Sequence, residues 1–334
     1  MKWIITIPAI LLFALAGCGK DKQSTNELIT VDVTVSYPKK ELILQDFMDV
    51  EYIPLETKDD FICQGLVLAI GKDIILARNR IRDGDIFIYD RKTGKGLKKI
   101  NREGQGGEEY TFIQRIVLDE KQNEIFVLDH FSRKISVYDL DGNFKRSLKR
   151  GDELYFFHLY NFNQTSLITN NYWVTDKPAF TIISKQDGTT KQIQIPFKEK
   201  ISMPVNYSDK AKDIYYNVIP DNYNPIIPYF DCWVLVEQSS DTVYKYQSDH
   251  KMIPIIARTP SVQSMNPEVF LFLGILTNRY YFMETVKKEY NFETHEGFPT
   301  TDLLYDKQEK AIFEYIVYNL SLIHISEPTR LRRI

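Results

Sequence analysis

Cysteine is scarce, with 3 in 334 residues. A stapled, disulfide-dense scaffold is therefore excluded. Setting Cys18 aside, Cys63 and Cys232 are far apart in sequence and open to pairing or to burial as small core residues. An excess of one charge is also lacking. Lys and Arg number 42 against 45 Asp and Glu, a net of −3, which gives no global reason to expect nucleic acid. The apolar run from Trp3 to Ala16 falls short of the roughly 20 residues a bilayer-spanning helix needs. Local signatures of catalysis are missing too. There is no Gly-x-Ser-x-Gly elbow, no His-Glu-x-x-His, no Cys-x-x-Cys and no Gly-Lys-Ser/Thr, so no nucleophile, metal or phosphate chemistry is announced by spacing.

What is abundant points to a folded β protein. Apolar residues make up 43% and charged residues 26%, with 21 Tyr and 20 Phe. Such a balance suits a packed domain, and aromatic residues favour pleated, half-buried surfaces. Met1-Lys2 followed by the apolar run and small residues reads as a secretory signal. Leu15-Ala16-Gly17-Cys18 resembles the lipobox of bacterial lipoproteins. The resemblance implies residues 1–17 as signal peptide and Cys18 as the acylated first mature residue. Each buried acyl methylene then contributes about 0.8 kcal/mol of anchoring. The polar run that follows, 18–28, reads as a flexible tether.

The C-terminal stretch Leu320-Ser-Leu-Ile-His-Ile-Ser-Glu-Pro-Thr-Arg330 resembles the translation of a transposase adapter used for sequencing libraries. Residues 320–334 are on that ground expected to be a non-native tail. Genuine sequence is expected to stop at Asn319, with the natural protein continuing.

Between these ends a strand-turn phrase repeats. Asp85-Ile-Phe-Ile-Tyr-Asp-Arg-Lys-Thr-Gly94 recurs as Lys134-Ile-Ser-Val-Tyr-Asp-Leu-Asp-Gly142, with looser copies at 180–188, 241–249 and 302–310. Each joins an apolar or aromatic run to an Asp/Gly/Lys turn, as hairpins do. The steps are about 49, about 46 and then nearer 60 residues, a period that fits four-stranded propeller blades, with loop insertions in the later ones. One copy predicts a whole blade, with strands over Phe112–Leu118, Glu124–Leu128, Lys134–Asp139 and Asn143–Leu148. Asn266-Pro-Glu-Val could start a helix, but the aromatic and β-branched content predicts two strands, 270–276 and 279–286.

Residues 125–142 resemble an NHL-type blade. Val50-Glu-Tyr-Ile-Pro-Leu-Glu-Thr57 and Gly104-Gln-Gly-Gly-Glu-Glu-Tyr110 resemble the six-bladed β-propeller lipoproteins of anaerobic gut bacteria, over roughly Glu51 to Tyr318. The resemblance implies an all-β propeller over 29–319, six-bladed in the natural protein, with about five blades countable here. Ile29–Val35 or Glu51–Leu55 is expected to pair with the final sheet, and the ring to be open or irregular near residues 320–334.

Chemistry is harder to read. Gly104-Gln-Gly-Gly107 is followed by another strand rather than a helix, so a turn between blades is expected instead of a phosphate loop. His130, His158, His250 and His295 are scattered singly, and no metal or cofactor is expected. Most carboxylates fall where turns want Asp. The remaining signal is distributed: Arg78, Arg80, Arg82, Arg102, His130, Arg133 and Arg150 all fall in loops of one propeller face. Guanidinium groups there would suit carboxylate or sulfate ligands, although Asp83, Glu103, Glu108, Glu109 and Asp152 share those loops and could neutralise them. The expected function is a lipid-anchored envelope propeller, at the outer membrane, binding a saccharide or partner protein through one face. The alternative is a glycan lyase or hydrolase using the same funnel.

Overall fold

Runs of four to eight apolar and β-branched residues, each ended by an Asp, Gly or Lys turn, produce strands throughout. The computed structural model describes residues 28–80, 83–149, 156–171, 178–209, 213–220 and 223–320. Among them the only helical elements are four short 3-10 turns. The signal segment with Cys18, the tether up to residue 27, and 321–334 lie outside the described residues.

Two strands come first, β1 (Ile29–Asp32) and β2 (Lys39–Ile43). Blade one follows as β3 (Leu66–Ile70), β4 (Ile74–Arg78), β5 (Asp85–Asp90) and β6 (Gly96–Asn101). Blade two is β7 (Ile113–Asp119), β8 (Glu124–Asp129), β9 (Lys134–Tyr138) and β10 (Phe144–Lys149). Blade three is β11 (Phe156–Asn161), β12 (Ser166–Asn171), β13 (Phe180–Ser184) and β14 (Thr190–Ile193). After an inserted hairpin, β15 (Val205–Asp209) and β16 (Ile214–Val218), blade four runs β17 (Ile226–Tyr229), β18 (Cys232–Leu235), β19 (Thr242–Gln247) and β20 (Met252–Thr259). Blade five opens with β21 (Val269–Leu276) and β22 (Tyr280–Lys287). A small hairpin of β23 (Tyr290–Asn291) and β24 (Glu296–Gly297) intervenes, and β25 (Thr300–Asp306) and β26 (Ala311–Tyr318) complete the blade.

Within every blade the four strands pair in sequence order and antiparallel. All five copies of the repeated phrase are third strands, which is why the period was visible. The two hairpin insertions account for the longer later steps. Strands β21 and β22 match the two-strand expectation at 270–286.

Each blade is too thin to bury its own faces, so neighbours do it for one another. Ile86 and Ile88 of blade one meet Ile116 and Val127 of blade two. Phe126 and Leu128 meet Leu167 and Ile183 across the next boundary, Ile168 and Ile182 meet Ile226 and Leu235, and Val234 and Val243 meet Phe270 and Met283. The first strands of adjacent blades abut, β3 on β7, β7 on β11 and β17 on β21, so first strands line the axis.

The N-terminal region departs from expectation. β1 pairs in parallel with β20, the outer strand of blade four, rather than with the final sheet. It is β2 that joins the final strand, β26, also in parallel. Glu51–Leu55 forms no strand. Instead the chain crosses from the last blade to the first. Leu44, Phe47 and Met48 cover Tyr280 and Phe282 of blade five. Ile53, Leu55, Phe61 and Cys63 cover Ile75, Phe87 and Tyr89 of blade one. A proline at 54 and apolar residues at 53 and 55 favour this packing over ladder formation, since proline donates no hydrogen bond. Gly94, at φ +70°, makes room for it, because a Cβ there would lie 1.9 Å from the Pro54 carbonyl oxygen. The two cysteines are not paired: Cys63 lies in this bridging segment and Cys232 is buried in blade four, its thiol pushed up by burial.

Candidate functional site

Loops joining second to third strands, and fourth strands to the next blade, emerge on one face of the ring. One of them is the β8–β9 turn, closed by a set of side-chain hydrogen bonds. Asp129, fully buried, accepts hydrogen bonds from Thr111 N (2.6 Å), Thr111 Oγ1 (2.8 Å), Phe131 N (3.0 Å) and Ser132 N (3.2 Å). Burial pushes its carboxyl up, but the bonds from Ser132 and Thr111 outweigh this and hold it below the usual range. An Asp at the end of a strand, bonding the backbone two and three residues on, is the local chemistry that closes such turns.

The turn so fixed presents His130, Phe131 and Arg133 outward. Phe131 is 66% exposed, yet its ring is held edge-on by His130 (4.9 Å) and Phe112 (5.6 Å). Arg133 takes a left-handed backbone, φ +50°. Behind Phe112 a narrow cleft is walled by Arg78, Asp83, Glu103 and Ile113, and Arg78 Nη1 donates to the Ile113 carbonyl at 2.9 Å.

The arginines predicted as one cluster are divided by the structure. Arg78 and His130 lie beside Phe112, and Arg133 is exposed in the same turn as His130. Arg80 is exposed in the β4–β5 loop, its backbone N–H bound by Gln64 Oε1 at 2.7 Å. Arg102 turns sideways, with Nε donating to the Gly142 carbonyl at 2.8 Å, so that it ties the end of blade one to the outer turn of blade two. Arg82 and Arg150 lie outside the described residues.

The glycine-rich loop carries its own anion. Gly106 N donates to Glu109 Oε2 at 2.7 Å, and a Cβ on Gly104 would fall 1.9 Å from that same oxygen. It is a turn between blades, as expected. Ser184-Lys-Gln-Asp-Gly188 is likewise structural: Lys185 Nζ reaches Asp119 (2.5 Å), Asn161 Oδ1 (2.7 Å) and the Asn163 carbonyl (2.6 Å) across the boundary between blades two and three.

Nearer the axis, His158 on β11 hydrogen-bonds Asn170 Oδ1 at 3.1 Å and stacks on Tyr160. Burial, with the Arg115 charge adding to it, pushes its imidazole down to about 4, so it is neutral at pH 7. Sequence reasoning set His158 among the scattered histidines, because nothing in its spacing shows that β11 is an axial strand. Among the described residues, every carboxyl group with a displaced pKa is displaced downward, including Glu124, Asp139, Asp187 and Asp306. No group of three or more His, Cys, Asp or Glu among the described residues converges as a metal site would.

Known proteins bear on this architecture. No curated protein matches the chain. A crystal structure of a Bacteroides fragilis protein described as exported superposes with a TM-score of 0.54, at 14% identity, over 86% of this chain and 80% of that one. At that identity the likeness bears on the fold alone. A duf4221 family member from Bacteroides vulgatus gives a TM-score of 0.47 at 12% identity, over 78% of this chain and 83% of that one. Residues 19–322 match the model of a family described as a 6-bladed beta-propeller, and the chain belongs to that family.

Proposed function

We propose that this propeller is an exported, lipid-anchored envelope protein that binds a saccharide or a partner protein through its loop face. The observation that carries the reading is the Asp129-fixed turn, which holds the Phe131 ring in solvent beside His130 and Arg133. An exposed ring, held by neighbours instead of buried by them, has its ordering cost met before any ligand arrives. The flanking guanidinium supplies hydrogen bonds in a fixed fork. Export and outer-membrane anchoring rest on the Leu15-Ala-Gly-Cys18 sequence, and a Bacteroides fragilis protein of similar fold is described as exported, in keeping with export alone.

The hydrolase alternative needs a carboxylic acid kept protonated near neutrality, opposite a second carboxylate. Glu124, Asp129 and Asp306 are held down by hydrogen bonds from cations or turn groups and so are not acids of that kind, which favours binding over that chemistry. The test pairs glycan-array and pull-down measurements on the full chain with Phe131→Ala and Arg133→Gln. Both variants should weaken the captured ligand, Phe131→Ala by about tenfold, the equivalent of about 1.4 kcal/mol, with unchanged melting. Unchanged affinity in both would remove the Phe131 turn as the binding surface. In parallel, Cys18→Ser should abolish fatty-acid labelling, and persistence of the label would contradict the lipobox.

A further inference from the structure

The two insertions that lengthen the later blades rise from the same loop face, and they meet. β15–β16 leaves the connection between blades three and four, and β23–β24 leaves the second-to-third-strand connection of blade five. Tyr207 and Tyr216 are cross-strand partners in the first hairpin. Both lie against Phe292 of the second, at centroid distances of 5.1 and 6.1 Å, and all three rings are canted at 31–32° to one another. Tyr290 packs edge-on to Phe292 at 4.8 Å. The rings form an arch, yet Tyr207 and Tyr216 remain 41% and 45% exposed. A cluster serving only to pin the hairpins would gain by burying them.

At the feet of the arch lies a cavity of about 260 Å³, lined by Glu199–Ser202, Val262, Gln263, Met265 and Glu268. Ser202 stands three residues before β15. The Glu268 carbonyl accepts a hydrogen bond from Lys288 N (2.8 Å), two residues before β23. Both hairpins therefore spring from the cavity rim. Two of its three charged lining residues are matched, Lys200 with Glu237 at 2.8 Å and Glu268 with Lys288 at 3.3 Å, and Glu199 adds one exposed carboxylate. A rim with one carboxylate in excess disfavours anionic ligands, and its paired groups offer hydroxyls both acceptors and donors.

We propose that this arch and cavity form a binding site for a neutral oligosaccharide, one sugar ring entering the cavity and the next lying on the tyrosine rings. The inference rests on the loop face being a binding surface, but it uses blades four and five instead of the Phe131 turn. Aromatic rings offer apolar faces to the C–H side of a pyranose, while paired Lys and Glu groups exchange hydrogen bonds with its hydroxyls.

The test is titration of the full chain with a panel of neutral glucan, mannan and galactan oligosaccharides of three to six units. Tyr216→Ala should lower affinity about tenfold, the upper range for one aromatic contact. Ser202→Trp, which fills the cavity from an exposed position, should do at least as much while leaving the melting temperature unchanged. Tyr215→Ala, on the opposite face of the hairpin, should change nothing. Binding of a panel member that survives both Tyr216→Ala and Ser202→Trp but is lost in Phe131→Ala would overturn this site and leave the loop-face reading standing. Binding of no panel member by the unaltered chain would overturn it as well.

Discussion

Single residues show where side-chain type suffices and where environment decides. Asp129 ends a strand and caps a turn, a role its type and position announce. Arg102 is in the loop that sequence assigned to it, but its guanidinium is directed sideways to Gly142, a direction no local pattern encodes. His158 is the sharpest case. Its imidazole is held near 4 against an ordinary 6.5. Below pH 6.5 the unfolded chain takes up a proton that the native state refuses, so stability falls as pH drops towards 4 and then levels. His158→Gln should remove that part of the pH dependence. Urea midpoints at pH 7 and pH 5 would check it, the variant losing less than the parent between the two.

Elements were more legible than their junctions. Third strands carry the recurrent aromatic-Asp-Gly phrase because they are flanked on both sides within the blade and closed by tight turns. Their register therefore depends on local chemistry. The latches between blades were invisible. Lys185 was read within a turn, but its ammonium is buried against Asp119, with both side chains at or below 5% exposure. Removing one member of such a pair leaves the other charged and dry, which costs about 3 kcal/mol or more. Lys185→Ala should lower stability by about that amount, whereas Lys185→Ala combined with Asp119→Ala should recover part of it. A double-mutant cycle in urea measures both; strictly additive losses would show that the pair is not coupled.

The molecule as a whole contains five described blades and a segment that ties the last to the first. Phe61 packs on Tyr89 at 5.7 Å and Phe87 at 6.3 Å, and Phe47 on Tyr280 at 5.4 Å. Glu56 holds the same segment to blade one, with its N–H on the Gly94 carbonyl at 2.8 Å and its Oε2 accepting from Gly96 N at 2.8 Å. Phe61→Ala removes the anchoring ring, and Gly94→Ala drives a methyl into the Pro54 carbonyl. Each should cost about 2 kcal/mol, below the range for a fully buried Phe because Phe61 is only half-buried. Because both release one segment, the double variant should lose less than the sum. Full additivity in chemical denaturation would show that residues 53–61 do not dock as a unit.

Sequence by itself determined the class of fold, the blade period, the two-strand reading of 270–286 and the turn character of Gly104–Gly107. All of these rest on interactions within a few dozen residues, where alternation, β-branching and turn chemistry act directly. Tertiary structure alone decided that β1 and β2 join blades four and five, that the 50–57 motif covers blade one, and that Tyr207, Tyr216 and Phe292 meet. Those contacts join residues tens to hundreds of positions apart. The partner is selected by which apolar face the ring leaves uncovered, a property of the assembled blades that no segment carries alone.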